Sequence, residues 1–271
     1  MFLDNGDSLF DWSCERDFWL LFLPVVLFDA GRFRVVLVRR DVVLNFFGSV
    51  SSDLRMGVHD FLHVDENEQL KKIKSDNYRG ARLAGRLLAK LTWLHTQAAT
   101  ENITQKNNNE ICREFSRICI NSRDAHGTAI TPTIHFDNIL IENSLSISHT
   151  DTWVAVTIAK DASLKVGCDL VEQGSVTKGI RQTFFCENES KFADSSPDKN
   201  INEQIWSVKE AVYKVASNNK PFDPLNLRTE KIADGRFNCT DTKSPNRQTI
   251  LARTTNINNI ILTIAAAEIK K

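Results

Sequence analysis

The sequence predicts an α+β fold. Strand-like and helix-like segments are interspersed without a regular βαβ rhythm, and no close internal repeat or low-complexity tract organises them. The apolar pattern changes near Leu145, which divides the chain into an N-terminal half, 1–145, and a C-terminal half, 146–271. The 271 residues allow one large domain or two modest ones with a sizeable buried core.

The elements follow in order. Residues 18–28 form an apolar run that reads as core strand or helix. It is too short for a bilayer, which needs about 20 residues, and Pro24 interrupts it. Residues 33–38 and 42–47 are rich in Val and Phe and read as strands. From Asp65 onward, Leu70, Ile73, Ala81, Leu83, Ala84, Leu87, Leu88, Leu91 and Leu94 suit one or two helices, with a break near 75–78. The polar, Asn-rich stretch 99–110 reads as a loop, and 113–122 and 130–142 as short strands. In the second half, 153–159 reads as a half-buried strand that turns at 160–163 into a second strand, 164–171, making a hairpin. A helix over 177–192, a loop over 193–204, a helix around Trp206, and strands at 250–253 and 260–267 complete the chain.

Composition excludes several classes. Lys plus Arg and Asp plus Glu both number 34, so there is no basic excess of the kind a general nucleic-acid binder carries. The six cysteines form no Cys-x-x-Cys pair and no zinc-like spacing with histidine, as expected of free thiols in a reducing compartment. Glycosylation triplets at Asn102, Asn188 and Asn238 matter only in a secreted chain. The first residues lack the basic leader of a signal peptide, so a soluble cytoplasmic protein without a membrane segment is expected. There is no Gly-rich phosphate loop.

Four places carry chemistry. Around Trp206, the residues Val208, Ala211, Val212 and Val215 form a buried stripe, and Glu210 and Lys214 lie one turn apart on the other side. Such a pair is either a surface ion pair worth a few tenths of a kcal/mol (about 0.2–0.5) or two ends of a metal and phosphate site. Asp169 follows Gly167 and Cys168 near a strand end and is either a turn residue or a hard-metal ligand. Glu172 is a further candidate on the opposite face of that strand. Ser148 and His149 end a polar–apolar alternation and can donate to a phosphate. Arg79, Arg82, Arg86 and Lys90 make a basic stripe on their helix, which is either a solvated face or a phosphate contact.

Together these motifs resemble the 4'-phosphopantetheinyl transferase superfamily, and the chain is similar in length to its Sfp type. The run 146–150 reads Ser-Ile-Ser-His-Thr, 166–170 reads Val-Gly-Cys-Asp-Leu, and 206–214 reads Trp-Ser-Val-Lys-Glu-Ala-Val-Tyr-Lys. Thr183-Phe184-Phe185 with Glu187 and Glu189 resembles the family's FFxxxE segment, and Ala84-Gly85-Arg86 its AGR. The resemblance covers about residues 58–267 and leaves the first 50 or so outside. It implies two similar α/β halves packed as a pseudo-dimer, with coenzyme A in the cleft between them. It implies that Asp169 and Glu210 hold Mg2+, that Lys214 meets the phosphates, and that Ser148, His149, Arg79 and Arg86 contact the adenosine phosphates. The implied acceptor is a serine of an apo acyl or peptidyl carrier protein, deprotonated by Glu210 directly or through water at the metal. A monomeric enzyme of fatty acid, polyketide or nonribosomal peptide synthesis follows. Two departures stand out. Val171 occupies the family's third acidic position, and the family's GKP turn is matched only by His126-Gly127-Thr128-Ala129, without a lysine. They favour the alternative of a non-catalytic module that binds coenzyme A or a carrier protein.

Overall fold

The computed structural model describes residues 13–20, 23–29, 31–53, 57–97, 108–123, 129–216, 221–244 and 247–269. The described residues form helices and antiparallel sheets, the α+β class expected, in two compact units that divide between Ala162 and Ser163. Most of the Asn-rich stretch, 99–107, and most of the 126–129 stretch lie outside the described residues. Among the described residues no helix is long and apolar enough to cross a membrane.

In the unit Trp12–Ala162, the apolar run at 18–28 is strand: β1 (Ser13–Leu20) pairs with β2 (Leu23–Asp29), and β2 with β3 (Phe33–Arg39). Residues 42–47 are not a strand. They belong to helix α1 (Arg40–Asp53), where Val43 and Phe47 fall at i and i+4 and are both buried. Their Val/Phe composition points to strand, but the helical spacing of the buried pair decides, because Phe47 stacks on Phe61 and Phe115. The two expected helices are α2 (Val64–Lys71) and α3 (Asp76–Gln97). Residues 113–117 are likewise helical, in α4 (Asn108–Arg117), which buries Cys112 and Phe115 one turn apart. The strands β4 (Ile118–Arg123), β5 (Ala129–Phe136) and β6 (Ile139–Ile141) form a small sheet in that order. Then β7 (Leu145–His149) and β8 (Trp153–Ala159) complete the larger sheet, in the order β1-β2-β3-β8-β7.

The unit Ser163–Lys271 opens with β9 (Leu164–Glu172). The expected hairpin between β8 and β9 does not form: β8 pairs with β3 and β7, and β9 with β13 (Ile260–Glu268). The physical reason is burial. Val154 to Ala159 are all buried, so β8 is covered on both faces rather than half-buried, and it takes a neighbour on each side from its own unit. The expected helix at 177–192 is two helices, α5 (Lys178–Phe184) and α6 (Glu187–Ser195). Helix α7 (Ile201–Ala216) follows, then β10 (Leu227–Ala233), β11 (Arg236–Asp241) and β12 (Thr249–Ile257). The sheet runs β10-β11-β12-β13-β9, antiparallel throughout. Helix α7 packs over β9 and β13. At the crossing, a Cβ on Gly167 would lie 2.1 Å from the Ala211 carbonyl oxygen, so only glycine lets the helix close onto β9.

Both units carry the same buried lysine. Lys90 Nζ donates to the carbonyls of Phe61 (3.0 Å) and Phe115 (2.9 Å) and pairs with Glu66 (2.6 Å). Glu66 accepts in turn from the backbone N–H groups of His63 and Ile120. Lys209 Nζ donates to the carbonyls of Phe184 (3.1 Å) and Pro224 (2.8 Å) and pairs with Glu189 (2.7 Å), which accepts from the N–H groups of Cys186 and Thr229. The spacing from carbonyl to carboxylate is the same, 61 to 66 and 184 to 189, as is that from carbonyl to N–H, 115 to 120 and 224 to 229. Strand sequences agree as well: 154–159 reads VAVTIA and 260–265 reads IILTIA. The repeat is not a close one, so it does not stand out in the sequence. The repeat is short and interrupted, and its meaning is visible only once the two lysines are seen to hold the same partners.

Candidate active site

Strand β9 and helix α7 bring Asp169, Glu210 and Lys214 together. Asp169 stands opposite Thr263 of β13 and is 2% exposed. Lys214 Nζ donates to Asp169 Oδ1 (2.9 Å) and to the Cys168 carbonyl (2.8 Å). Glu210, one turn before Lys214, is half-buried and hydrogen-bonded to Asp169. The stripe of Val208, Ala211, Val212 and Val215 is buried, so the helix is held with this acid and amine turned to the strand. Lys214 is therefore paired with a buried carboxylate on the strand and is not part of a solvent-exposed ion pair.

The electrostatics are those of two carboxylates in one place. Burial and the neighbouring Asp169 push Glu210 up to about 8, against the pull of Lys214 and of the Trp206 indole, which donates to it. Burial works against the charge on Lys214, but Asp169 and Glu210 outweigh it and raise its pKa, so it is a permanent cation at neutral pH. A carboxylate pair that resists full ionisation is a hard-oxygen donor set for a divalent cation, whose charge removes the repulsion. The donors present therefore fit magnesium. Val171, on the same face as Asp169, is buried opposite Ile261 and supplies no oxygen. Glu172 stands opposite Ile260 at the end of the strand, on the other face.

The other expected site residues lie in the unit Trp12–Ala162. Ser148 is buried in β7, and His149 meets the Tyr78 ring edge-on at 5.9 Å. Arg79 donates to the Ile73 carbonyl (3.0 Å) and pairs with Asp76. Arg86 is 3% exposed, donates to Gln69 Oε1 (2.6 Å) and has its Nε 3.7 Å from Glu66. Burial pulls its pKa down to about 10. Its Nε and Nη1 are sealed from solvent without a hydrogen-bond partner, and Nε faces the Glu66 carboxylate.

Sequence reasoning missed two contributors. Lys209 sits inside the motif but points away from the carboxylates, tying α7 to α5 and β10 through Glu189. Trp206 is only a motif letter in the sequence, yet its indole holds Glu210 and is itself stacked on Phe184 and Phe222. The signals are the i, i+4 spacing of Trp206 and Glu210, and the Cys186-x-x-Glu189 spacing at a helix start.

The buried Asp169, the half-buried Glu210 and the cationic Lys214 are donors that a divalent cation and a phosphate would suit. Residues 165–265, which contain all three groups, match the family model of the 4'-phosphopantetheinyl transferase superfamily. No curated protein matches the chain.

Proposed function

We propose that this protein transfers the 4'-phosphopantetheine arm of coenzyme A to a serine of an apo acyl or peptidyl carrier protein, leaving 3',5'-ADP. The observation that carries this reading is the Asp169–Glu210–Lys214 cluster inside the segment that matches the superfamily. The Sfp type, a monomeric cytoplasmic enzyme and two similar halves with coenzyme A between them belong to the same proposal, supported by chain length and by the repeated lysine anchor.

Asp169 and Glu210 would hold Mg2+. When bound, the ion neutralises the pyrophosphate and the charge that develops in transfer. Lys214 brings a fixed positive charge to the leaving phosphate. Glu210, held by the Trp206 indole, would accept the proton of the attacking serine directly or through water at the metal. Ser148, His149, Arg79 and Arg86 are assigned to the adenosine phosphates on the motifs that carry them. The test is to incubate the protein with coenzyme A, magnesium and several apo carriers, then weigh the carriers. A gain of one phosphopantetheine supports the proposal, and no gain on any carrier overturns it.

A second reading, a non-catalytic module that binds coenzyme A or a carrier protein, is favoured by the apolar Val171. It expects coenzyme A binding that magnesium does not tighten.

A further inference from the structure

Among the described residues, one group of three metal-ligating side chains lies outside the Asp169 cluster. His63 caps the N-terminus of α2, Asp65 stands in its first turn, and Cys119 lies in β4. One ligand atom from each lies within 4.8 Å of the other two, and His63 Nδ1 is 3.4 Å from Asp65 Oδ2. We propose that His63, Asp65 and Cys119 form a binding site for a borderline-soft divalent cation of the zinc type, distinct from the carboxylate pair of α7 and β9.

The geometry follows from how α2 and β4 are pinned together. Glu66 Oε1 accepts from Ile120 N (3.0 Å), and Gln69 Nε2 donates to Asn121 Oδ1 (3.4 Å). Strand alternation then turns Ile120 into the core and Cys119 and Asn121 toward α2. The Cys119 thiol accordingly reaches Asn121 Oδ1 (3.8 Å) on that face. The spacing His63-x-Asp65 places the other two donors across from it. Tetrahedral zinc, with bonds of about 2.0–2.3 Å, sets its ligands about 3.3–3.8 Å apart, so the three donors, now within 4.8 Å of one another, need to close by up to about 1.5 Å.

The donor set decides the cation. One imidazole, one thiol and one carboxylate suit zinc or cobalt, whereas magnesium takes oxygen donors alone. Three protein donors leave a fourth position for water. Cys119 is 4% exposed, but the Asp65 side chain is largely exposed and gives an ion its way in. A thiol ligates zinc as the thiolate, so a bound ion displaces a proton from Cys119. Held by all three donors, the ion would tie the start of α2 to β4. Glu66 and Gln69, which hold Lys90 and Arg86, follow on the same helix.

The full chain, reduced and stripped of metal, is titrated with Co2+ and followed by near-ultraviolet absorption. One equivalent should bind with a thiolate-to-cobalt charge-transfer band that Zn2+ abolishes. Cys119→Ser should lose the band, and His63→Ala should weaken binding by about tenfold or more. Cys168→Ser, beside Asp169, should keep it, which separates this site from the α7 carboxylates. Far-ultraviolet circular dichroism confirms that each variant is folded, and Cys119→Ala serves if Cys119→Ser is not. Absence of the band in the unaltered protein, or its survival in a folded Cys119 variant, overturns the proposal.

Discussion

The two units use one anchoring device for two purposes. In each, a buried lysine on the long helix ties two carbonyls to a glutamate near the start of a shorter helix. One residue beyond the lysine, α7 has Glu210 and α3 has Leu91, which is 1% exposed. Five residues beyond, α7 has Lys214, pairing with Asp169, and α3 has His95, bonded to Arg34. Opposite the buried threonine of the repeated strand, Thr263 faces Asp169 whereas Thr157 faces Val35. The scaffold does not dictate chemistry. Three differences separate the carboxylate–amine cluster from the Leu91, His95 and Val35 built on the same anchor.

The sharpest way to break this comparison is to remove the charges where they differ. Asp169→Ala or Glu210→Ala should lower phosphopantetheine transfer by about 100-fold or more, read by carrier mass, with the fold retained. Leu91→Ala, at the equivalent place, should leave the chemistry intact and cost about 2–5 kcal/mol of stability in urea unfolding. Equal losses of activity in both would dissolve the distinction.

Next come the anchors, where the units should agree. Lys90→Met and Lys209→Met each strand a buried glutamate and should each cost about 3–5 kcal/mol by urea unfolding. Replacing both partners, as in Lys209→Met with Glu189→Leu, should recover much of that. Unchanged stability in either single variant would mean that its pair is not the anchor.

Glycine separates the two helices by a smaller amount. A Cβ at Gly167 meets backbone, so Gly167→Ala should lift α7, cost about 1–3 kcal/mol and reduce transfer. At Gly85 the Cβ meets only the Ile147 side chain at 3.0 Å, which can give, so Gly85→Ala should cost less, both read by urea unfolding.

The pH-dependent difference concerns Glu210 itself, measured without magnesium. Its pKa is about 8 in the folded chain against an ordinary 4.5, so the folded state holds a proton that the unfolded state releases between those values. Stability from this group is fully present below about 4.5 and is lost as pH rises to about 8. Glu210→Gln has no such loss and should melt higher than the unaltered protein by a margin that grows over that window, at about 2–4 °C per kcal/mol. A margin that is flat with pH would show that Asp169 and burial do not act on Glu210.

Much of the site was legible because its chemistry is local in the chain. Glu210 and Lys214 share a turn, and Gly167 announces the close approach beside Asp169. What failed was reading composition over spacing. The Val/Phe content of 42–47 suggests a strand, although Val43 and Phe47 stand one helical turn apart. The β8–β9 hairpin failed for another reason: a strand buried on both faces says nothing of which neighbours bury it.

The sequence by itself determined the α+β class, the amphipathic helix of Trp206 and the identity of the acid, amine and carboxylate that meet there, because periodicity and residue type are local properties. Tertiary structure alone decided that Lys209 anchors rather than reacts, that β8 and β9 belong to different sheets, and that Cys119 faces His63 and Asp65. Each of these depends on which distant carbonyl, strand or side chain arrives alongside, and burial makes those partners obligatory without naming them in the chain.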